Sequence, residues 1–131
     1  MAEQSKVMVF GVFDGLHEGH RFFLRSAEAE AKATQDHLIV VVARDATVQK
    51  LKQKPPQHSQ EERMTAVQDF LPDSLVILGD ERQGTYDVIK THQPAMICLG
   101  HDQEELAKDL QAKINSGDVD IIQLKTLREL P

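Results

Sequence analysis

Short unbroken apolar runs alternate with amphipathic stretches along this chain, and the alternation repeats from end to end. KVMVF (Lys6 to Phe10), the run from His37 to Ala43 containing LIVVVA, Ser74 to Leu78, AMICL inside Ala95 to Leu99, and VDIIQL (Val119 to Leu124) are short and bounded by polar positions. Runs without polar alternation read as strands covered on both faces, which places them in a parallel sheet. Between them, Phe22, Phe23, Ala27 and Ala31 recur among charged residues at helical spacing, so a first helix is expected from about Gly19 to Thr34. After the Pro55-Pro56 break, Ser59 and Glu62 form a capping box that opens a helix to about Phe70. Further helices are expected over Thr85 to His92 and from Gln103 to about Ser116, the second stopped by Gly117. The order βαβαβαβαβ predicts an α/β protein with a right-handed, doubly wound, Rossmann-like sheet of five parallel strands. No internal repeat, low-complexity tract or Pro/Ser-rich linker interrupts it, and 131 residues suit one domain.

The first strand runs directly into GVFDGLHEGH, Gly11 to His20, and then into the first helix. In an open parallel sheet that junction is where ligands bind, because a helix's first amides lack intrahelical acceptors and its dipole favours anions. Gly11, Gly15 and Gly19 lack a Cβ, so the loop can turn tightly and its amides can approach a phosphate. His17 and His20, three residues apart, fall on one face of the incoming helical turn. Two imidazoles over a phosphate would stabilise its charge. The pair also suits a solvated surface or half of a zinc site. Zinc is disfavoured because the only cysteine, Cys98, is far along the chain and no third ligand lies nearby, so no protein-held metal is expected.

Charge narrows the partners. A net charge of −6 argues against a general nucleic-acid surface. Arg44, Lys50, Lys52 and Lys54 nevertheless cluster after the second strand with only Asp45 among them. That local patch would attract a triphosphate held at the first loop, or would simply be a solvated flexible loop. Cys98, inside AMICL, reads as a core residue and leaves no disulfide framework. No secretory h-region or twenty-residue apolar stretch is present, so a cytoplasmic protein is expected, with no membrane partner.

Gly11-Val12-Phe13-Asp14 followed by His17-Glu18-Gly19-His20 resembles the GTFD and HxGH signatures of cytidylyltransferase-like nucleotidyltransferases. VVVARDATVQK (Val40 to Lys50), KQKPP (Lys52 to Pro56), EERM (Glu61 to Met64), ILGD (Ile77 to Asp80) and LGHDQ (Leu99 to Gln103) follow in the order of the archaeal-type FAD synthase branch. The resemblance implies transfer of a nucleotidyl group from ATP or CTP, with Mg²⁺ or another divalent cation, to a phosphorylated acceptor, FMN being favoured. It implies that His17 and His20 donate to the α- and β-phosphates, and that Lys54 or Lys52 neutralises the attacked or attacking group. Gly11, Val12, Phe13, Asp14, Gly19, Arg63, Gly100, Asp102 and Gln103 are then nucleotide-binding candidates, and relatives commonly pair as homodimers. On their own, Asp102 and Gln103 suit helix caps and Arg63 an exposed ion pair.

Three positions depart from the family pattern. Val12 stands where threonine is usual, Glu18 puts an anion between the histidines, and the serine/threonine-rich STxxR-like segment expected after the fifth strand is not evident. Thr126 and Arg128 could be its remnant, although a polar tail is the simpler expectation. Two other functions therefore stay open: cytidylyl transfer to glycerol 3-phosphate or a phospho-alcohol, and nucleotide or flavin binding without turnover. Among the remaining histidines, His58 is expected in a solvated loop, His37 and His92 at element ends, and His101 outside catalysis.

Overall fold

A computed structural model describes residues 5–82, 85–120 and 122–127. The five strands are β1 (Lys6–Gly11), β2 (His37–Val42), β3 (Leu75–Leu78), β4 (Met96–Gly100) and β5 (Gln123–Leu127), all parallel, in the order β3-β2-β1-β4-β5. The connecting helices are α1 (Glu18–Ala33), α2 (Asp45–Lys52), α3 (Gln60–Phe70), α4 (Asp87–His92) and α5 (Glu104–Ser116).

The unbroken apolar runs of β1, β2 and β4 serve two cores. Val7, Val9, Val40 and Cys98 pack with Leu24, Ala27, Val67 and Leu71, so α1 and α3 cover one face. Met8, Ile39, Val41, Ile97 and Leu99 pack with Ile89 and Leu110, so α4 and α5 cover the other. Each aliphatic side chain so buried stabilises the fold by about 1.5–3 kcal/mol relative to exposure. Helices change faces between α3 and α4, and strand order therefore reverses at β1 and β4. Their carboxyl ends splay apart at that switch point and leave the crevice that parallel α/β sheets use for ligands.

Local signals behave as their chemistry requires. The Ser59 hydroxyl accepts the Glu62 amide at 3.1 Å while the Glu62 carboxylate accepts the Ser59 amide at 3.1 Å, completing the capping box. Gly117 closes α5 with φ of 82°. Burial pushes the Cys98 thiol up to about 11, as suits a core residue rather than a nucleophile.

Three expectations need correction. The cationic segment after β2 is, up to Lys52, the helix α2 and not a loop, anchored through buried Val48, and only Lys54 lies beyond it; a single buried anchor leaves its apolar periodicity too weak to read. The fifth strand pairs over Gln123–Leu127 rather than Val119 to Leu124, because Val119 and Ile122 are spent closing the core on the α4/α5 face before the ladder begins. Thr126 consequently lies in β5, opposite Leu99, and not in a polar tail. Arg128 falls outside the described residues.

Candidate active site

Beyond Gly11 the chain leaves the sheet, turns through Phe13 (φ 54°) and Gly15 (φ 78°), and enters α1. Phe13 is buried and its ring lies directly under Gly11, where an added Cβ would stand 2.4 Å from the ring's Cζ. Glycine at position 11 is thus required by the ring beneath it, a reason additional to close approach of a phosphate. Phe13 serves as a floor: its ring meets the His20 imidazole edge-on, with centroids 5.6 Å apart at 77°.

His17 is the N-cap of α1, and its Nδ1 accepts the backbone amide of His20 at 3.3 Å. The His-x-x-His spacing is thus also a capping spacing, and it stacks the two imidazoles with centroids 3.6 Å apart at 18°. These bonds fix the tautomers. A ring nitrogen that accepts an amide carries no proton, so His17 in its neutral form holds its proton on Nε2. The carbonyl of Gly15 lies 3.2 Å from His20 Nδ1, and a carbonyl only accepts, so His20 in its neutral form holds its proton on Nδ1. His17 Nε2 can therefore donate to a phosphate as it stands, whereas His20 Nε2 donates only after taking up a proton. Burial and the neighbouring His17 ring hold the His20 pKa below the ordinary imidazole value, leaving that nitrogen unprotonated at neutral pH.

A rigid bracket supports this loop from behind. Asp14 accepts the amides of Gln57 at 2.7 Å and His58 at 2.9 Å, joining the loop to the segment before α3. Burial disfavours its charge, but these two amides outweigh that and hold the carboxyl below the usual carboxylate range. Arg63 is neither an exposed ion pair nor a lining residue of the crevice. Its side chain is buried, and the guanidinium donates to the carbonyls of His58 (3.0 Å), Val12 (2.9 Å) and Ala43 (2.7 Å) and to Asp45 Oδ1 (2.7 Å). One side chain thereby locks the ends of β1 and β2 to the starts of α2 and α3. Asp14 and Arg63 are placed as braces, and neither lines either of the two cavities described below.

Across the crevice, Gln103 does not cap α5 with its side chain. Its amide instead donates to the Phe10 carbonyl at 2.8 Å while its oxygen accepts the Gly100 amide at 2.8 Å, stitching the diverging ends of β1 and β4 together. Asp102 and His101 are exposed beside it. Lys52, the last residue of α2, reaches the histidine cleft, whereas Lys54 lies on the exposed bend that follows and lines neither that cleft nor the larger cavity beside it. His58 is exposed, 4.0 Å from Glu62.

Two cavities meet here. The smaller, about 290 Å³, is lined by His17, Gly19, His20, Lys52, Phe23 and Gly100 among others. The larger, about 620 Å³, opens toward α4 and α5 and is lined by Arg44, Leu51, Asp80, Tyr86, Leu106 and Asp109 among others. Phe10, Gly11, Val12, Asp102 and Gln103 line both, so one group at that shared wall can be reached from either side. The larger volume lies in the range of about 300–1,000 Å³ typical of sites that bury an organic ligand. Sequence reasoning missed most of its lining: Asp80 entered only within the ILGD block, Asp109 belongs to no motif, Tyr86 falls in a stretch expected to be helix from Thr85, and Arg44 registered only as charge. Among the described residues, no group of three or more His, Cys, Asp or Glu could hold a metal ion, and no helix is long and apolar enough to cross a membrane.

A doubly wound sheet with a glycine-turned loop, stacked histidines at a helix start and a second chamber beyond defines an α/β nucleotide-handling protein. A model of the cytidylyltransferase-like family matches residues 8–126. The chain is 38% identical over 124 residues to the FAD synthase of Pyrococcus horikoshii, covering 93% of this chain and 81% of that relative. It is 37% identical over 122 residues to the FAD synthase of Aciduliprofundum boonei, covering 92% and 78% respectively. Among solved structures it is similar to the lipopolysaccharide core biosynthesis protein of Thermoplasma volcanium, at 33% identity and a TM-score of 0.76 over 98% of both chains. The pantoate-beta-alanine ligase of Francisella tularensis shares the fold at 12% identity and a TM-score of 0.66, covering 98% of this chain and 60% of that one. The chain belongs to the cytidylyltransferase-like family of nucleotidyltransferases.

Proposed function

We propose that the protein is an FMN adenylyltransferase: it joins the AMP moiety of ATP to the phosphate of FMN, giving FAD and pyrophosphate. The observation that carries this reading is the pair of adjoining cavities, one lined by histidines and a lysine and sized for phosphates, the other large and part apolar, with a common wall at Gly11 and Val12. Relatives that bear the name FAD synthase support the choice of acceptor.

The triphosphate would lie over α1's positive end, with His17 Nε2–H and protonated His20 Nε2–H donating to its oxygens and Lys52 adding charge. FMN would extend into the larger cavity with its phosphate at the common wall. An oxygen of that phosphate attacks the α-phosphorus in line, forming the new P–O bond as the bond from the α-phosphorus to the bridging oxygen breaks, and pyrophosphate leaves with the electron pair. No covalent enzyme intermediate is required. Catalysis is then positioning together with donors aimed at charge that grows on the non-bridging and leaving oxygens. The divalent cation would arrive on the nucleotide, whose phosphate oxygens, together with water, supply its ligands. ATP and FMN as substrates accord with a cytoplasmic location.

The test is incubation of the protein and Mg²⁺ with ATP or CTP in every combination with FMN, glycerol 3-phosphate and phosphoethanolamine, followed by chromatography of products. FAD formed only from ATP with FMN is the expected result. A cytidylyl product would move the assignment to another acceptor, and nucleotide binding without pyrophosphate release would make the protein a binder.

A further inference from the structure

The larger cavity contains the chain's single tyrosine. Tyr86 is nearly buried at the start of α4, and its backbone is held by the amides of Ile89 (3.1 Å) and Lys90 (3.2 Å), which donate to its carbonyl. Its hydroxyl donates to Asp109 Oδ2 on α5, which fixes the ring across the gap between the two helices. Burial and the Asp109 carboxylate raise the phenol's pKa, so the hydroxyl keeps its proton. That one proton is committed to Asp109. What remains on the phenol oxygen, and on the rest of the carboxylate, is lone pairs only. The ring and its partner therefore offer an incoming molecule an apolar face and hydrogen-bond acceptors, with no donor.

Two other polar groups of the lining each make one bond to the backbone, while Arg82, Asp102 and Glu105 add further charge to the wall. Asp80 Oδ1 accepts the Val88 amide at 3.2 Å, and Arg44 Nε donates to the Gly79 carbonyl at 2.7 Å. Leu51 stands at the rim, 57% exposed. Tyr86 is thus a fixed aromatic element in a chamber whose other end opens on the histidine cleft.

We infer that Tyr86, oriented by Asp109, determines acceptor specificity: it accepts a hydrogen bond from an N–H or O–H on the non-reacting body of the acceptor and disfavours bodies that carry an anion there. The inference rests on FMN adenylylation as the activity. In FMN the donor would be the imide N–H of the ring system or a hydroxyl of the ribityl chain.

The test uses the full chain, with steady-state adenylylation and flavin-fluorescence binding measured side by side. Tyr86→Phe retains the ring and removes the acceptor oxygen. It should raise KM and Kd for FMN about 10-fold, the effect of one lost hydrogen bond, and leave KM for ATP unchanged. FMN methylated on its imide nitrogen and FMN analogues lacking single ribityl hydroxyls separate the two sources. The analogue missing the relevant donor should bind wild type about 10-fold more weakly, and Tyr86→Phe should add no further loss for that analogue. Asp109→Asn, which retains a carbonyl for the phenol but introduces an N–H, guards against a folding artefact and should weaken FMN in the same direction at unchanged Tm. Equal FMN and ATP constants in wild type and Tyr86→Phe, or parallel shifts in both, would overturn this inference while leaving the activity standing. Wild type that neither binds nor adenylylates FMN would overturn both.

Discussion

Replacing Arg63 by methionine removes a guanidinium that donates four hydrogen bonds from a fully buried position. Methionine fills much of the volume but returns no donor. The carbonyls of Val12, Ala43 and His58 then lose a partner at the junction of four elements, and Asp45 loses its countercharge. Each stranded buried acceptor costs about 1–3 kcal/mol, whereas the Asp45 carboxylate, 43% exposed, is rehydrated and its lost pairing costs only about 1 kcal/mol. These terms overlap, because the segments can relax toward water, so a net loss of about 3–5 kcal/mol is expected. Against the about 5–15 kcal/mol typical of a domain, the variant should be folded but marginal. The drop in Tm should be about 10–20 °C for a chain of this size, read by circular dichroism alongside urea unfolding. Arg63→Lys restores the charge but not the planar fork, and should recover only part of the loss. A brace and a phosphate ligand are then separable. A brace lowers Tm, and at a temperature where the variant is folded it lowers kcat with little specific effect on KM for ATP. An Arg63→Met protein with a Tm within a few degrees of wild type and a selectively raised KM for ATP would refute the bracing role.

Three further outcomes follow from the site. Because His20 Nε2 is unprotonated in the free protein and must donate to a phosphate, ATP binding should take up protons above pH 7 and weaken as pH rises; calorimetry in buffers of different ionisation enthalpy reads this directly, and His20→Ala should abolish the uptake. Gly11→Ala should disrupt the loop, since the new Cβ would fall 2.4 Å from the Phe13 ring; loss of nucleotide binding together with a Tm drop is expected, and a fully active variant would contradict the packing. Asp14 has a lowered pKa, so its stabilising contribution is complete above its ordinary value of 3.8 and disappears as pH falls through the lower folded value; Asp14→Asn should flatten that acid limb of the stability profile and leave one of the Gln57 and His58 amides poorly satisfied at neutral pH.

Much of the framework was legible because it depends on local regularities. Unbroken apolar runs marked parallel strands, and Ser59 with Glu62 and Gly117 marked helix ends whose geometry is set within a few residues. The HxGH residues were legible for a similar reason: the spacing that stacks His17 on His20 is that of an N-cap and the third residue of its helix. What escaped was non-local. Arg63 reads as an exposed helical residue until the loop of β1, the end of β2 and the segment before α3 close around it. Asp14 looks free to meet a ligand until the chain returns forty-three residues later with the Gln57 amide. The choice between Lys52 and Lys54 turns on where α2 stops, and a helix with one buried anchor gives little signal of its end. Val119 and Ile122 looked like strand because burial at a sheet's end has the same composition as burial within it.

The most direct measurement follows the α-phosphate. Wild type and His20→Ala are each given ATP labelled at the α-phosphorus, FMN and Mg²⁺, and the products are separated. Wild type should pass the label into FAD with an equal amount of unlabelled pyrophosphate, and His20→Ala should do so about 10²–10³-fold more slowly at an unchanged Tm. Label that stays in ATP or appears only as free AMP with wild type, or a His20→Ala rate equal to wild type, would contradict nucleotidyl transfer at the stacked histidines.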